Sequence, residues 1–233
     1  MKEFLFSYYS ILIISVEALA AVTALLCYKK YKHTVAKFFI YFLIYVFICE
    51  TIALYTYQVE DGVFSVLKGT LFARNYWWIN LTWGVGSTLF YCFFYYKLIN
   101  ASKVKVFIKI ILGVFLLFCL SVIALNVNRL FTGLVPSIMV FSELIILFLV
   151  SVYFFEMLQS DRILNFYKSI YFYISATMFI WLIIITPIVF YNMYYTKKDM
   201  DFVLLQRLIS SSANIFMYLT FTFALLWCKP ENR

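Results

Sequence analysis

Charged residues are scarce in this sequence. Only 13% of its 233 residues are charged, whereas 65% are apolar, and the mean hydropathy is +0.93. Soluble globular domains carry charge on roughly 25% of their residues, so this chain has too little polar surface to cover a protein in water. The scarcity of charge excludes a soluble fold. It predicts an all-α integral membrane protein, because helices satisfy their own backbone hydrogen bonds in lipid.

Histidine and closely paired cysteines are also lacking. The one histidine, His33, lies in a lysine-rich stretch, and the five cysteines show no CxxC spacing. A zinc site of the usual kind needs several Cys or His ligands, and an activated serine needs a neighbouring base. The last apolar stretch has no lysine, which excludes a retinal Schiff base. We therefore expect no enzyme activity, no catalytic residue, no metal and no cofactor.

Long apolar runs make up most of the chain. One bilayer crossing by a helix needs about 20 apolar residues, and seven stretches meet that requirement. Their predicted bounds are 5–28, 35–57, 76–98, 106–126, 135–158, 170–194 and 203–228. We interpret residues 1–233 as a single polytopic transmembrane domain that forms a seven-helix bundle. The first span is expected to be retained, because Glu17 interrupts the apolar region that a cleaved signal peptide would need.

The distribution of basic residues predicts the orientation. If successive loops alternate between the two sides, twelve of the 19 basic residues fall on one side: Lys29, Lys30, Lys32, Lys37, Lys97, Lys103, Lys105, Lys109, Arg162, Lys168, Lys229 and Arg233. Basic residues accumulate on the cytoplasmic side of membrane proteins. We therefore expect the amino terminus outside and the carboxyl terminus inside.

The net charge of +8 resides mainly on residues that flank the spans. In that position the lysines and arginines favour anchoring to anionic lipid headgroups, so we expect the lipid bilayer as a partner and no nucleic acid. Lysine predominates over arginine, and Ile, Phe, Tyr and Asn are abundant. This composition is typical of an A/T-rich genome and favours the inner (plasma) membrane of a bacterium as the location.

Two spans carry a stripe of polar and small residues. In the last span the stripe consists of Arg207, Ser211, Asn214 and Tyr218, and in the third span of Asn80, Gly84, Ser87 and Tyr91. Both follow spacings of four, three and four, which an α-helix places on one face. Because a guanidinium or an amide facing lipid is costly, we expect both stripes to face the protein interior.

Three charged residues are predicted to lie in the outer half of the membrane. These are Glu50, Glu143 and Arg207, and a charge at such depth needs a partner or water. We predict an outward-facing pocket in which Arg207 binds a small polar or anionic ligand, with Asn80, Asn214 and Ser211 as further lining residues. The alternatives are a structural ion pair, or an Arg207 that extends to the headgroups.

Glu17 lies deeper, near the middle of the first span, and is followed by Ala20, Ala21 and Ala24. A carboxyl group at that depth is a possible proton or cation site. The alternative is a hydrogen bond to a neighbouring helix, since small residues on the same face allow close helix approach.

A shift of 126 or 127 residues places Glu17 on Glu143 and Asn80 on Arg207. This relation suggests a 3+1+3 parallel repeat, in which spans one to three correspond to spans five to seven. Span four would be the linker, and its lack of a polar stripe predicts a peripheral position. In span six, Pro187 predicts a kink near Ile183.

The sequence favours a sensor or signal-transmitting receptor-like protein. Helices and short connections account for the 233 residues, so we expect the signal to pass through a separate cytoplasmic partner. One alternative is a small-solute or ion transporter or channel, which Glu17 and the possible repeat would suit. A second alternative is a membrane-disrupting or pore-forming accessory effector, which needs little sequence specificity.

Overall fold

The computed structural model describes residues 2–191 and 200–231, with the side chains of 11–161, 163–190 and 202–231, and these residues contain no β-strand. The long helices are α1 (Lys2–Tyr31), α2 (Ala36–Ala53), α5 (Ser102–Leu125), α7 (Pro136–Leu158), α8 (Ile170–Tyr191) and α9 (Met200–Trp227). Each of the six includes or forms part of a helical segment that is long and apolar enough to cross a membrane. The prediction of an all-α integral membrane protein is confirmed at this level.

The helix bounds follow the predicted spans closely. The fifth span, expected over 135–158, is helix α7, and the fourth, expected over 106–126, is helix α5. A 3-10 helix, Leu54–Gln58, extends α2 to the end predicted for the second span. Helix α8 continues through Pro187, and the end predicted for this span at residue 194 lies outside the described residues.

The third predicted span differs from the other six. It is helical from residue 76 to residue 98, but it consists of α3 (Tyr76–Ile79), a π-helical segment (Asn80–Ser87) and α4 (Thr88–Leu98). In a π-helix the backbone bonds run from residue i to residue i+5, and the form is rare except as single-turn bulges. This segment is not among the six continuous candidate spans. A seventh crossing therefore stays a prediction.

Short helices connect the long ones. Between α2 and α3 lie two further 3-10 helices, Ser65–Leu67 and Leu71–Ala73, and between α5 and α7 lies α6 (Val127–Thr132). The connection from α7 to α8 contains the 3-10 helix Asp161–Lys168.

The chain divides into two compact units. The terminal unit comprises residues up to Phe47 and from Leu147, and the internal unit comprises Ile48–Ile146. The divisions fall inside α2 and inside α7, and not at the junctions of the predicted 3+1+3 repeat. That repeat and the orientation in the membrane stay predictions.

In the terminal unit, α9 packs against both α1 and α8. The α1 face contains Ala20, Ala21 and Ala24, all buried, and small residues allow close helix approach. At the end of α9, the Lys30 amine donates to the carbonyls of Leu225 and Leu226, at 3.0 and 2.9 Å. These bonds satisfy carbonyl groups that the end of a helix leaves without partners inside the helix.

In the internal unit, α5 is the most exposed of the six candidate spans. Leu117 and Leu120 are 69% and 66% exposed, whereas Phe115 is buried against Phe141 of α7. One side of α5 is thus apolar and exposed. This agrees with the predicted peripheral, lipid-facing position of span four.

Candidate functional site

Glu50 lies in the last turn of α2 and forms a hydrogen bond to a tryptophan of the π-helical segment. The Trp83 indole N–H donates to Glu50 Oε1 at 2.8 Å. The carboxylate is half-buried, and the bond joins residues 33 positions apart in sequence. The predicted candidate Glu50 is therefore bound by Trp83, a residue outside the predicted pocket.

A second tryptophan is fixed at the same end of α2. The Trp78 indole N–H donates to the carbonyl oxygen of Cys49 at 2.9 Å, and the Asn75 amide donates to the carbonyl of Ala53 at 3.0 Å. Because Cys49 and Glu50 are neighbours, Trp78 and Trp83 contact adjacent positions of α2. Each indole N–H is therefore directed to a group of α2.

A third tryptophan continues the cluster toward the connection between α2 and α3. The Trp77 indole N–H donates to the Tyr55 hydroxyl at 3.3 Å, and that hydroxyl donates to the Phe72 carbonyl at 2.7 Å. The Trp77 and Trp78 rings meet edge to face, with centroids 5.5 Å apart, an arrangement that aromatic pairs prefer. We call Trp77, Trp78 and Trp83 the indole cluster.

The π-helical segment explains why two residues five positions apart reach the same part of α2. In an α-helix, residues 78 and 83 would point in widely different directions, since each residue turns the chain by about 100°. Bonds from residue i to residue i+5 widen the turn and bring such residues toward one side. Extra hydrogen bonds support the segment: the Thr82 and Thr88 hydroxyls donate to the carbonyls four residues back, at 2.7 and 3.0 Å.

The first part of α7 runs beside the π-helical segment. A Cβ on Gly84 would lie 3.2 Å from Ile138 Cγ2, so the absence of a side chain permits this approach. One turn further along, the Thr88 and Ser142 hydroxyls are 2.5 Å apart. The next residue, Glu143, is 9% exposed. The predicted candidate Glu143 is therefore buried at the level where α4 begins.

Asn80, the first residue of the π-helical segment, is 1% exposed and bonds to backbone groups. Its amide donates to the carbonyls of Leu130 and Gly133, at 3.2 and 3.0 Å, and its oxygen accepts from the Val135 N–H at 2.9 Å. These bonds hold the connection between α6 and α7. They give Asn80 a structural role, and its predicted contact with a ligand stays a prediction.

The α9 stripe lies in the terminal unit and becomes more buried along the helix. Arg207 is exposed, Ser211 and Asn214 are half-buried, and Tyr218 is buried. The Trp181 indole N–H of α8 donates to Asn214 Oδ1 at 2.7 Å.

The exposure of Arg207 differs from the interior position that its stripe predicts. Arg207 lies about two turns from the start of α9, where a long side chain can extend past the helix end to the headgroups. A pairing of Arg207 with Glu50 or Glu143 stays a prediction.

Glu17 is 4% exposed and lies in α1 of the terminal unit. The buried residues Ala20, Ala21 and Ala24 follow it within two turns of the same helix. A buried carboxyl group in a candidate span agrees with the expectation that this side chain faces protein. Whether it carries protons or cations stays a prediction.

Sequence reasoning missed the indole cluster because it assumed α-helical periodicity throughout. The available signal was the pair Trp78 and Trp83, separated by five residues, next to Gly84 and Gly86. Compared with models of known protein families, with curated proteins and with solved structures, the chain matches none.

Proposed function

We propose that the chain is a seven-helix membrane sensor, in which a small polar ligand is recognised on the outer side and the response passes to a separate cytoplasmic partner. The observation that supports this proposal is the hydrogen bond between Glu50 and Trp83. It connects a half-buried acid, which is still partly accessible to a ligand, with the π-helical segment.

The π-helical segment supplies an element that can adopt two arrangements. When a π-helical segment becomes α-helical, its backbone bonds change from i+5 to i+4 spacing. The residues that follow are then displaced around the helix axis by up to the angle of one residue, about 100°. A ligand that binds differently to the two arrangements shifts the equilibrium between them. The helix that turns is α4, which ends at Leu98.

The inner end of α4 is suited to contact with a partner. Lys97 lies in its last turn and Lys103 follows the short connection to α5, and both are exposed. If α4 turns, Lys97 at its end would change position relative to Lys103, which lies in α5. An acidic surface on a cytoplasmic partner would detect that change through charge.

A transporter is the second candidate function, and one observation favours it. Glu17 is buried within a candidate span, and intramembrane carboxyl groups commonly carry protons in pumps and transporters. In this scheme the Glu50 region would be the outer entrance. The two candidates differ in one property, because only a transporter moves solute or protons across the bilayer.

The coupling in the sensor is tested with spin labels within the internal unit. Labels at Asn100→Cys and Leu117→Cys report the position of the inner end of α4 relative to α5, by pulsed electron paramagnetic resonance in nanodiscs. Trp83→Phe removes the N–H that bonds to Glu50 and should shift the distance distribution. The matched control is Trp227→Phe, which alters a tryptophan that is 64% exposed in the terminal unit.

An unchanged distance distribution in Trp83→Phe would contradict the sensor mechanism. The transporter is tested separately, by acidification of pyranine-loaded proteoliposomes under a proton gradient. Proton entry that is abolished by Glu17→Gln would favour transport over sensing. Proton entry equal to that of empty liposomes, together with a shifted distance in Trp83→Phe, would support the sensor.

A further inference from the structure

We infer that the ligand of the Glu50 site is an organic cation, namely an amine or a methylated ammonium group, held between the Glu50 carboxylate and the faces of Trp78 and Trp83. The inference rests on the proposed function, because it names the ligand class for the same site. Its basis is the combination of one acid with two oriented indoles.

The negative charge of the Glu50 carboxylate favours a cation at this site. Among the described residues of this unit, Glu50 forms no ion pair with a basic side chain, and it accepts a hydrogen bond from the neutral Trp83 N–H. A carboxylate accepts several hydrogen bonds, so one indole leaves capacity for a further donor. An anionic ligand placed here would meet the charge of Glu50, and the repulsion disfavours it.

The rings at the site favour a soft, organic cation. Trp78 and Trp83 are half-buried, and their N–H groups are directed to Cys49 and Glu50. A cation is attracted to the face of an aromatic ring, most strongly to tryptophan, and quaternary ammonium groups are recognised by such rings. A divalent metal ion instead requires several oxygen ligands. The site offers one carboxylate beside indoles, which is the chemistry of ammonium recognition.

The same geometry links the ligand to the response. A cation over Trp83 is in contact with the residue that joins α2 to the π-helical segment. Binding would strengthen or release the bond of Trp83 to Glu50, and either change acts on the segment that precedes α4. Trp83 would thus both contact the ligand and couple its binding to α4.

Choline is the probe for the test, and dimethylbutanol is its neutral carbon isostere. Binding of each compound to the full chain in nanodiscs is measured by equilibrium dialysis. We expect choline to bind and the isostere to bind at least about tenfold more weakly, because only choline carries the charge. Glu50→Gln should weaken choline binding by at least about tenfold. The matched control is Glu60→Gln, which removes an exposed acid of the same unit and should leave binding unchanged.

A second pair of variants keeps the test decisive if Glu50→Gln does not fold. Trp83→Leu removes a ring face and retains the carboxylate, so it should also weaken choline binding, whereas Trp227→Leu should not. Equal binding of choline and the isostere would overturn the inference. Equal choline binding by the wild type and a folded Glu50→Gln variant would overturn it as well.

The spin-label distance separates failure of this inference from failure of the proposed function. Movement at the inner end of α4 that is caused by dimethylbutanol or acetate but not by choline would refute the cationic ligand and leave the sensor standing. Choline binding that depends on Glu50 but causes no movement would refute the sensor and support the cationic ligand.

Discussion

The polar stripes of the third and the last predicted span have the same spacing in the sequence but differ in the structure. Asn80 begins the π-helical segment, is buried and bonds to three backbone groups. Asn214 occupies a regular α-helix, is half-buried and accepts one bond, from Trp181. The comparison teaches that spacing alone does not define the role of a stripe. The backbone register and the groups packed against it decide that role.

The largest effect is expected in the activity of reporter fusions, which show on which side of the membrane both stripes begin. If the amino terminus is outside, the third and the last span both run inward, and Asn80 and Arg207 lie near their outer ends. A fluorescent-protein fusion at the carboxyl terminus should then be fluorescent, whereas an alkaline phosphatase fusion should be inactive. The reverse pattern would place both stripes at the inner side and would remove the basis for an outward-facing site.

The next largest effect is expected in thermal stability, which Asn80→Ala should lower more than Asn214→Ala. Asn80→Ala leaves two carbonyls and one N–H in a buried region without their bonds, and each such loss costs about 1–3 kcal/mol. Asn214→Ala removes one acceptor from a half-buried indole and should cost less. The midpoints of thermal unfolding in nanodiscs compare the two variants. A larger decrease for Asn214→Ala would show that the bonds of Asn80 to the backbone contribute little to stability.

The sequence predicted the helices well because length and hydropathy determine them. The fifth span begins one residue after its predicted start and ends at Leu158 as expected. The π register could not be predicted in this way, since hydropathy is insensitive to a change from i+4 to i+5 bonding.

The site was predicted in part. Burial of Glu17, Glu143 and Asn80 followed from the cost of placing polar groups against lipid. The bond between Glu50 and Trp83 and the contacts of Asn80 join distant parts of the chain, and no local pattern encodes them. Arg207 is exposed, a position that the alternative interpretation allows, since a long side chain near a helix end can reach the headgroups from a polar face.

A smaller effect tests the packing that distinguishes the π-helical segment. Gly84→Ala would bring a Cβ to 3.2 Å from Ile138 Cγ2, and overpacking of this kind costs typically about 1–3 kcal/mol. Gly113→Ala is the matched control, because a Cβ at Gly113 in α5 would meet nothing within 4 Å. It should stabilise the helix by up to about 1 kcal/mol. Equal shifts of the unfolding midpoint in the two variants would contradict the close approach of α7.

The smallest effect is expected for Arg207, the residue that sets the α9 stripe apart from that of the third span. Arg207 is exposed, as is Arg129 in α6, and substitution of exposed residues usually changes stability by no more than about 0.5 kcal/mol. We expect Arg207→Ala and Arg129→Ala to bind choline alike, within about twofold, because water and salt screen the interactions of exposed charges. The dialysis measurement that tests Glu50 compares these variants as well.

The sign of any difference between the two arginine variants is informative. If Arg207 lay beside Glu50, as the sequence-based pocket requires, its positive charge would repel a bound ammonium group, and Arg207→Ala would raise the affinity for choline. Arg129→Ala would not have this effect. Tighter binding by Arg207→Ala alone, with both variants equally folded, would support the predicted pocket, to which both stripes would contribute. Equal binding by the two variants would indicate that the α9 stripe serves packing and headgroup contact. The indole cluster would then bind the ligand without Arg207.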